Sequence, residues 1–596
     1  MVDLSERGQQ PIWSSDRKVA ILFNGEMYNF RDERERLRQA GYCFRSTSDA
    51  EVVLALYLEK GGSFASSIRG MFALALLDWR SSGIDGPPTV LLARDRFGMK
   101  PLWISERGEQ VLFASELRAL LASGLVPADL DGDGVSCYLE HGFVLQPGSI
   151  LRGVRMVEAG TYVQYRGDRP PQVAHFASEP ASPAIANESF SDAARRLRTI
   201  LEESVALHSH ADAPLGAFLS GGIDSSAIVA LMRPHVARLR TYSLGWQEGR
   251  ETDETAEASA TAARFDCDHT EYVLPGREVA SIVPEFAGDL DQPSADGLNT
   301  WLVSRLAARD VKGVMSGLGG DEWFAGYPVS VSMGAFESRL GAAALRAMGH
   351  GAHLLAGSAR NTLGFARLRS LGAYRSPMAL WTRSHTVFSS REVGALTGKC
   401  PKTNGVDRFA SALRTGGNGV ERQESPLGLA SRLDSEVYMR SQLLRDADAT
   451  SMAHSVELRM PLVDSELARF ARGCRASYKL SEPGAEQSVS MKGIQKHLLV
   501  EALRGVLPED ILNRPKRGFG LPYNEWLRGP LREIAMDTTS ASAVKKRGMF
   551  EPRAVAQTRE AFLDGDAAAE YPRLWSLMIL ELWCRQVLDG EPCGTQ

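Results

Sequence analysis

Ser220-Gly221-Gly222-Ile223-Asp224-Ser225-Ser226 decides how this chain is read. It follows an apolar run, Pro214 to Leu219, that reads as a buried strand. It precedes Ala227-Ile-Val-Ala-Leu-Met232, which reads as the first turns of a helix. Strand, glycine turn and hydroxyl-rich helix start together make an anion site. Glycine lets the backbone turn so that successive N–H groups face one point. The helix N-terminus adds free N–H groups and the positive end of its dipole. Ser225 and Ser226 add hydroxyl donors, and Asp224 suits a place where Mg²⁺ bridges a carboxylate to phosphates. No lysine completes a Walker-type loop, so γ-phosphoryl transfer is not the expected chemistry. Taken alone, the same residues also fit a Gly/Ser turn that caps an ordinary helix.

A second apolar strand, Val314-Met315, runs into Ser316-Gly317-Leu318-Gly319-Gly320-Asp321-Glu322. Two acid-bearing glycine loops at strand ends fit a ligand lying across the carboxyl edge of a parallel sheet. Two more polar segments follow. One is Leu444-Arg445-Asp446 with the stretch Ser451 to Asp464, which contains Glu457 and Arg459. The other is Asn513-Arg514-Pro515-Lys516-Arg517-Gly518-Phe519-Gly520. The first loop resembles the pyrophosphate loop of the N-type ATP pyrophosphatases, which cleave ATP to AMP and pyrophosphate. The four segments in this order resemble the synthetase domain of the B-type, glutamine-dependent asparagine synthetases, over most of residues 190–590.

That resemblance implies an adenylating amide synthesis. A carboxylate of aspartate would attack the α-phosphate of ATP, and ammonia would displace AMP from the acyl-AMP. Ser220, Gly221, Gly222, Ser225 and Ser226 would cradle pyrophosphate, with Asp224 and Asp321 as Mg²⁺ ligands. Ser316 and Gly317 would lie along the nucleotide, and Leu219 and Leu244 would wall the adenine. Lys516 would stabilise phosphate charge, or is a solvent lysine in a basic turn. Glu457 would act as the acid–base carboxylate, or is the partner of Arg459 in a structural ion pair. Arg445 and Asp446 fit an active-site wall and plain packing equally. His269 and His454 read as hydrogen-bonded structural residues. The stretch Asp291-Gln292-Pro293 departs from the family's Asp-Glu-Pro, which leaves the acceptor open. Another AMP-forming amide ligase, of β-lactam synthetase or tailoring type, stays an alternative, as does a non-catalytic nucleotide-binding relative. A tRNA-modifying pyrophosphatase is disfavoured.

The front of the chain agrees. Asn24-Gly25-Glu26-Met27-Tyr28-Asn29 follows the strand Val19–Phe23. Then come Asp49, Arg69-Gly-Met-Phe72, Arg94-Asp95-Arg96-Phe97-Gly98 and Phe113-Ala-Ser-Glu116. These resemble the glutaminase domain of class II amidotransferases. The resemblance implies that Asn24 and Gly25 form an oxyanion hole and that Glu26 and Asp49 hold the glutamine ammonium. A β-turn at Asn-Gly with solvated acids is the plainer reading. The family's nucleophile is a cysteine exposed at the N-terminus by Met removal, whereas this chain opens Met1-Val2-Asp3 and its first cysteine is Cys43. By resemblance, roughly 50 residues would precede this start. A misassigned or clipped start competes with a glutaminase-dead form that uses free ammonia. The physical argument favours the first, because losing the first strands would open sheet edges. Either way, the expectation is that the chain as it stands does not hydrolyse glutamine by that mechanism.

Composition sets the remaining bounds. A chain of 596 residues has room for several domains, and a net charge of −5 with a pI near 6.2 gives no support to nucleic-acid binding. Seven scattered cysteines without zinc spacing suit a reducing cytoplasm. No signal sequence and no membrane-length apolar run is seen. The expected fold is α/β and α+β. Residues 1–165 form an αββα glutaminase-like domain and 166–190 a Pro/Ala/Ser-rich linker. Residues 191–590 form an α/β ATP-pyrophosphatase domain with a helical C-terminal part. Residues 335–425 match the family least. The expected partners are small molecules: aspartate, ATP, and glutamine or ammonia. A homodimer is left open.

Overall fold

The computed structural model describes residues 2–3, 5–167, 169–177, 187–248, 253–336, 343–344, 347, 376–415, 425–480, 495–514, 518, 520–565 and 570–591. In the first unit, an antiparallel sheet runs in the order β1-β2-β3-β4-β8-β9. Its strands are β1 (Ile12–Trp13), β2 (Val19–Met27), β3 (Gly70–Asp78), β4 (Thr89–Arg94), β8 (Thr161–Tyr165) and β9 (Gln172–His175). A second antiparallel sheet has β5 (Trp103–Arg107) between β6 (Gln110–Ala114) and β7 (Arg155–Met156). Strand side chains alternate between faces, and β3 uses both. Leu74 and Leu76 meet Val52, Val53 and Leu56 of the helix Asp49–Lys60. Ala73 and Ala75 instead meet Leu102, Ile104 and Val157 between the sheets. Beyond the second sheet, Trp103 packs on Leu117, Leu120 and Tyr138 from the helices Leu117–Ala122 and Gly132–His141. Helix, sheet, sheet, helix is the layer order expected.

The linker expected over 166–190 is corrected at its start. Residues Gln172–His175 are β9, paired with β8 in register Thr161↔His175. Val173 faces Val163 across that pair, and β-branched residues so placed extend a sheet rather than a tether. Residues 178–186, at the heart of the expected linker, lie outside the described residues.

The second unit begins with the helix Phe190–His208, capped by Ser189 Oγ on the Asp192 N–H. Its sheet is wholly parallel, in the order β12-β11-β10-β13-β14. The strands are β10 (Leu215–Phe218), β11 (Arg240–Trp246), β12 (Asp268–Leu274), β13 (Gly313–Met315) and β14 (Glu457–Arg459). Winding leaves β10 to one side through β11 and β12, then returns to its other side through β13 and β14. The gap between β10 and β13 is therefore a topological switch point, where loops diverge and a ligand crevice opens. The remainder is mainly helical and includes Tyr571–Trp583, whose residues from Leu574 to Trp583 are all buried. Most of 335–375 falls outside the described residues.

The two units share a polar seam. Arg69 Nε pairs with Asp464 at 2.8 Å, Lys100 Nζ with Asp448 at 2.7 Å, and Arg459 Nη2 with Glu26 at 3.2 Å. Trp103 Nε1 and the Leu117 N–H both donate to Asp291, at 2.6 and 2.5 Å. Gln292 Oε1 accepts from the Ile150 N–H at 3.1 Å. The Asp-Gln-Pro stretch is thus a strut between the units.

Candidate active site

Both glycine loops leave the switch point. The helix Ile223–Met232 starts directly after Gly222 and carries Asp224 in its first turn. The loop after β13 passes so close that a Cβ on Gly317 would lie 2.7 Å from the Ser225 nitrogen. One on Gly320 would lie 2.5 Å from Asp224 Oδ1. Glycine at both places is a packing requirement of the two loops. Asp321 follows in the short helix Gly320–Phe324.

The two carboxylates converge on Lys496. Its ammonium lies 2.5 Å from Asp224 Oδ2 and 2.6 Å from Asp321 Oδ1. Burial works against the charge, but the two aspartates hold the Lys496 ammonium above the ordinary lysine range. Gly326 closes the arrangement, because a side chain there would collide with Asp321 Oδ1 and Lys496 Cε. Among the described residues no group of three or more His, Cys, Asp or Glu is placed to hold a metal. Two acid ligands nevertheless fit Mg²⁺, which keeps several waters and takes further oxygens from substrate phosphates. The ammonium already occupies a point that both carboxylates reach.

The pyrophosphate-type loop is internally bonded. The Ser220 N–H donates to Ser225 Oγ at 3.1 Å, and the Gly222 N–H to Ser220 Oγ at 3.2 Å. Ser226 Oγ donates to the Gly222 carbonyl at 2.8 Å. The Gly221 N–H donates to Glu254 Oε2 at 3.1 Å, so a carboxylate already sits on an amide of the loop. Arg514 Nη1 reaches the Gly221 carbonyl at 3.1 Å. Leu219 is buried at the end of β10, and its N–H donates to the Tyr242 carbonyl. Leu244 is buried two residues further along β11. Ser316 and Gly317 follow β13 immediately, and the Ser316 N–H donates to the Arg459 carbonyl at 2.9 Å. Lys516 lies outside the described residues.

Glu457 stands apart from the converging pair. It opens β14 opposite Gly313, at the amino edge of the sheet. Residues two apart on a strand share a face, and Glu457 Oε1 accepts from Arg459 Nε at 2.9 Å. Burial pushes the Glu457 carboxyl up, yet Arg459 and Lys100 hold it below the usual range. The ion pair read from the sequence as one alternative is present. On the same face lies Glu26, 2% exposed, whose carboxyl is pushed up to about 7 by burial and by the Glu457 charge. Asp49 Oδ2 accepts from the Met27 N–H at 2.8 Å, and burial raises its carboxyl. Asn24 Nδ2 donates to Ser115 Oγ at 3.1 Å. Gly25, at φ 150°, lies in β2 opposite Phe72, where a side chain would strike the Met71 carbonyl. The segment Asn24–Glu26 is therefore a strand end, not a hairpin turn.

Other residues singled out fall into supporting places. Arg445 pairs with Asp446 at 2.6 Å, both buried, and Asp446 also accepts from Ser294 Oγ. His269 is held by Thr241 Oγ1 and Ser243 Oγ at 2.9 and 3.1 Å. His454 meets the Trp301 ring edge-on. Sequence reasoning missed Lys496, Gly326 and the reach of Arg459.

Comparison with known proteins places both units in described families. Residues 196–585 match the family model described as Asparagine synthase, and residues 1–174 match that of the Glutamine amidotransferase domain. A Mycobacterium tuberculosis protein bearing a glutamine-hydrolyzing asparagine synthetase designation is 32% identical, over 98% of this chain and 87% of that protein. Asparagine synthetase [glutamine-hydrolyzing] 1 of Bacillus subtilis is 28% identical over 97% and 87%. Amidase chry2 of Gibberella zeae is 25% identical over 92% and 84%. The two family matches define an amide-forming ligase with an amidotransferase unit in front. The chain belongs to the asparagine synthase family and is an enzyme of the asparagine synthetase type.

Proposed function

We propose that this protein converts aspartate to asparagine through a β-aspartyl-AMP intermediate. An oxygen of the side-chain carboxylate attacks the α-phosphorus, the bond from that phosphorus to the β-phosphate bridge breaks, and pyrophosphate leaves. The nitrogen of ammonia then attacks the acyl carbon. The carbon–oxygen bond to AMP breaks, and the nitrogen loses its proton to a base. The single observation that carries this reading is the meeting of Asp224, Asp321 and Lys496 between two glycine loops at the switch point.

Negative charge gathers on the phosphates during the first step, and fixed cations lower that barrier. Asp224 and Asp321 would hold Mg²⁺, which supplies charge neutralisation when bound. Lys496 is the cation this chain brings to the same point, and Lys516 keeps the role of a second one. Ser220, Gly221, Gly222, Ser225 and Ser226 receive the leaving pyrophosphate once Glu254 has moved off the Gly221 amide. Leu219 and Leu244 flank the adenine, while Ser316 and Gly317 follow the nucleotide. Glu457 is ionised beside Arg459, and so is able to take the proton in the second step. Its face turns towards the first unit, from which the nitrogen would come. There Asn24 and Gly25 would stabilise the oxyanion of glutamine hydrolysis, and Glu26 and Asp49 would hold the substrate ammonium. The six cysteines described are all free, in keeping with a reducing, cytoplasmic setting. Among the described residues no helix is long and apolar enough to cross a membrane.

The test is product analysis with aspartate, ATP, Mg²⁺ and ammonium: AMP, pyrophosphate and asparagine are expected, and ADP with phosphate would overturn the reading. A second reading is an AMP-forming ligase for a different carboxylic acid. The Gibberella zeae relative named as an amidase favours it. AMP formation with another acid, and none with aspartate, would select it.

A further inference from the structure

Arg459 faces both halves of the molecule. Its guanidinium is fully buried, and its Nη2 makes no hydrogen bond although it lies within ion-pair distance of Glu26. Nε donates to Glu457, Nη1 donates to the His208 and His210 carbonyls at 2.7 and 2.6 Å, and Nη2 faces Glu26 at 3.2 Å. The Tyr28 ring lies 5.8 Å from the guanidinium carbon. The backbone of the same residue faces the other way in function. Its carbonyl holds the Ser316 N–H at 2.9 Å. Three residues on, Leu462 packs against Gly319, where φ is 111° and a Cβ would lie 2.9 Å from the Leu462 backbone. One short segment thus carries the first unit's Glu26 on its side chain and the second glycine loop on its main chain.

We propose that Arg459 is a positioning residue that sets the loop Ser316–Asp321 according to the charge it meets at Glu26. A guanidinium is a rigid, planar fork, so it cannot satisfy Glu457, two carbonyls and Glu26 in more than one orientation. When Glu26 carries its charge, the fork is pulled towards both carboxylates and β14 is fixed at its end. When Glu26 is neutral, Glu457 and the His208 and His210 carbonyls still hold the fork, but its Nη2 side is no longer drawn towards the first unit, and the constraint on the carbonyl that holds Ser316 is loosened. The proposal rests on the reading of this loop as part of a nucleotide site.

The test is calorimetry of Mg·ATP binding to the full chain, in the wild type, Glu26→Gln, Glu26→Asp, Arg459→Lys and the Glu26→Gln/Arg459→Lys double variant. Glu26→Gln and Arg459→Lys are each expected to weaken binding by about fivefold or more, the ordinary range of coupling between sites. The double variant should bind no more weakly than Arg459→Lys alone, because both changes break one linkage. Glu26→Asp, which keeps the charge, should restore most of the affinity. Wild-type affinity in Glu26→Gln, a lowered melting temperature with unchanged affinity, or fully additive effects would each overturn the proposal. If Arg459→Lys does not fold, the Gln and Asp variants at position 26 decide alone. A wild type that binds no Mg·ATP would instead overturn the nucleotide reading of the site.

Discussion

Asp224 and Asp321 share a counter-ion, the Lys496 ammonium, at 2.5 and 2.6 Å. One comes from the first glycine loop and the other from the second, so the lysine joins the two loops at the point where the parallel sheet divides. Removing it leaves two partly buried carboxylates facing each other.

Lys496→Met is therefore expected to make the free protein respond to Mg²⁺. Its melting temperature should rise on Mg²⁺ addition by more than the wild type's, since the divalent ion replaces a lost cation. Aspartate-driven pyrophosphate exchange should fall by about a hundredfold, the usual worth of one fixed charge at a reacting phosphate. An identical Mg²⁺ response in both proteins would show that the two carboxylates do not act as a cation site.

Gly326→Ala should abolish adenylation without unfolding the chain. The added carbon collides with Asp321 Oδ1 and Lys496 Cε, so the ion pair must move. A destabilisation of about 1–3 kcal/mol is expected from the crowding. Gly132→Ala is the matched control: no atom lies within 4 Å of its added carbon, and activity should not change. Comparable activities in the two variants would refute the packing argument.

Lys100→Met should destabilise the seam between the units. It leaves Asp448 buried and without its partner at 2.7 Å, and breaking a buried pair costs about 3–5 kcal/mol. Adding Asp448→Leu to that variant should recover part of the loss, because the uncompensated charge is gone. Thermal unfolding of the two variants distinguishes this from simple loss of volume.

Asp291 gives a pH dependence. Burial pushes its carboxyl from 3.8 to about 7, against the opposing donors Leu117 N–H and Trp103 Nε1. Between those values the folded chain keeps a proton that the unfolded chain has lost, so this group's contribution to stability falls as pH rises from about 4 to 7. Asp291→Asn removes that contribution to the slope. The melting temperature measured at pH 5 minus that at pH 8 should be smaller in the variant than in the wild type. An unchanged difference would mean that Asp291 titrates near its ordinary value.

What the sequence disclosed follows a physical division. The first glycine loop, the strands around it and the helix Asp49–Lys60 are written in local patterns of glycine, hydroxyl and apolar residues. The αββα layering was legible for the same reason, once the order of the segments was matched. Lys496 was not, because a lysine acquires its meaning only from the carboxylates it meets, and those lie far away in the chain. Gly326 needs no positive φ, so no turn signal marks it; what forbids a side chain there is the Asp321–Lys496 contact. The strand Gln172–His175 hid beside a proline-rich stretch whose composition suggested a tether. Glu457 was readable both as an acid–base carboxylate and as the partner of Arg459, because the two residues are two apart on one strand; the reach of Arg459 on to Glu26 needed the packing of the two units.

The buried helix Tyr571–Trp583 bears on how the molecule is made. Its Ser576 carbonyl accepts from Tyr138 of the first unit, while Trp575 and Trp583 donate to the Ala295 and Leu290 carbonyls. Trp103, Tyr138 and Trp575 belong to one apolar cluster. A ribosome releases the amino-terminal layers long before this helix emerges, so part of their outer face gains its cover late. Arrival of this helix, rather than completion of the first unit, is the event that seals the cluster.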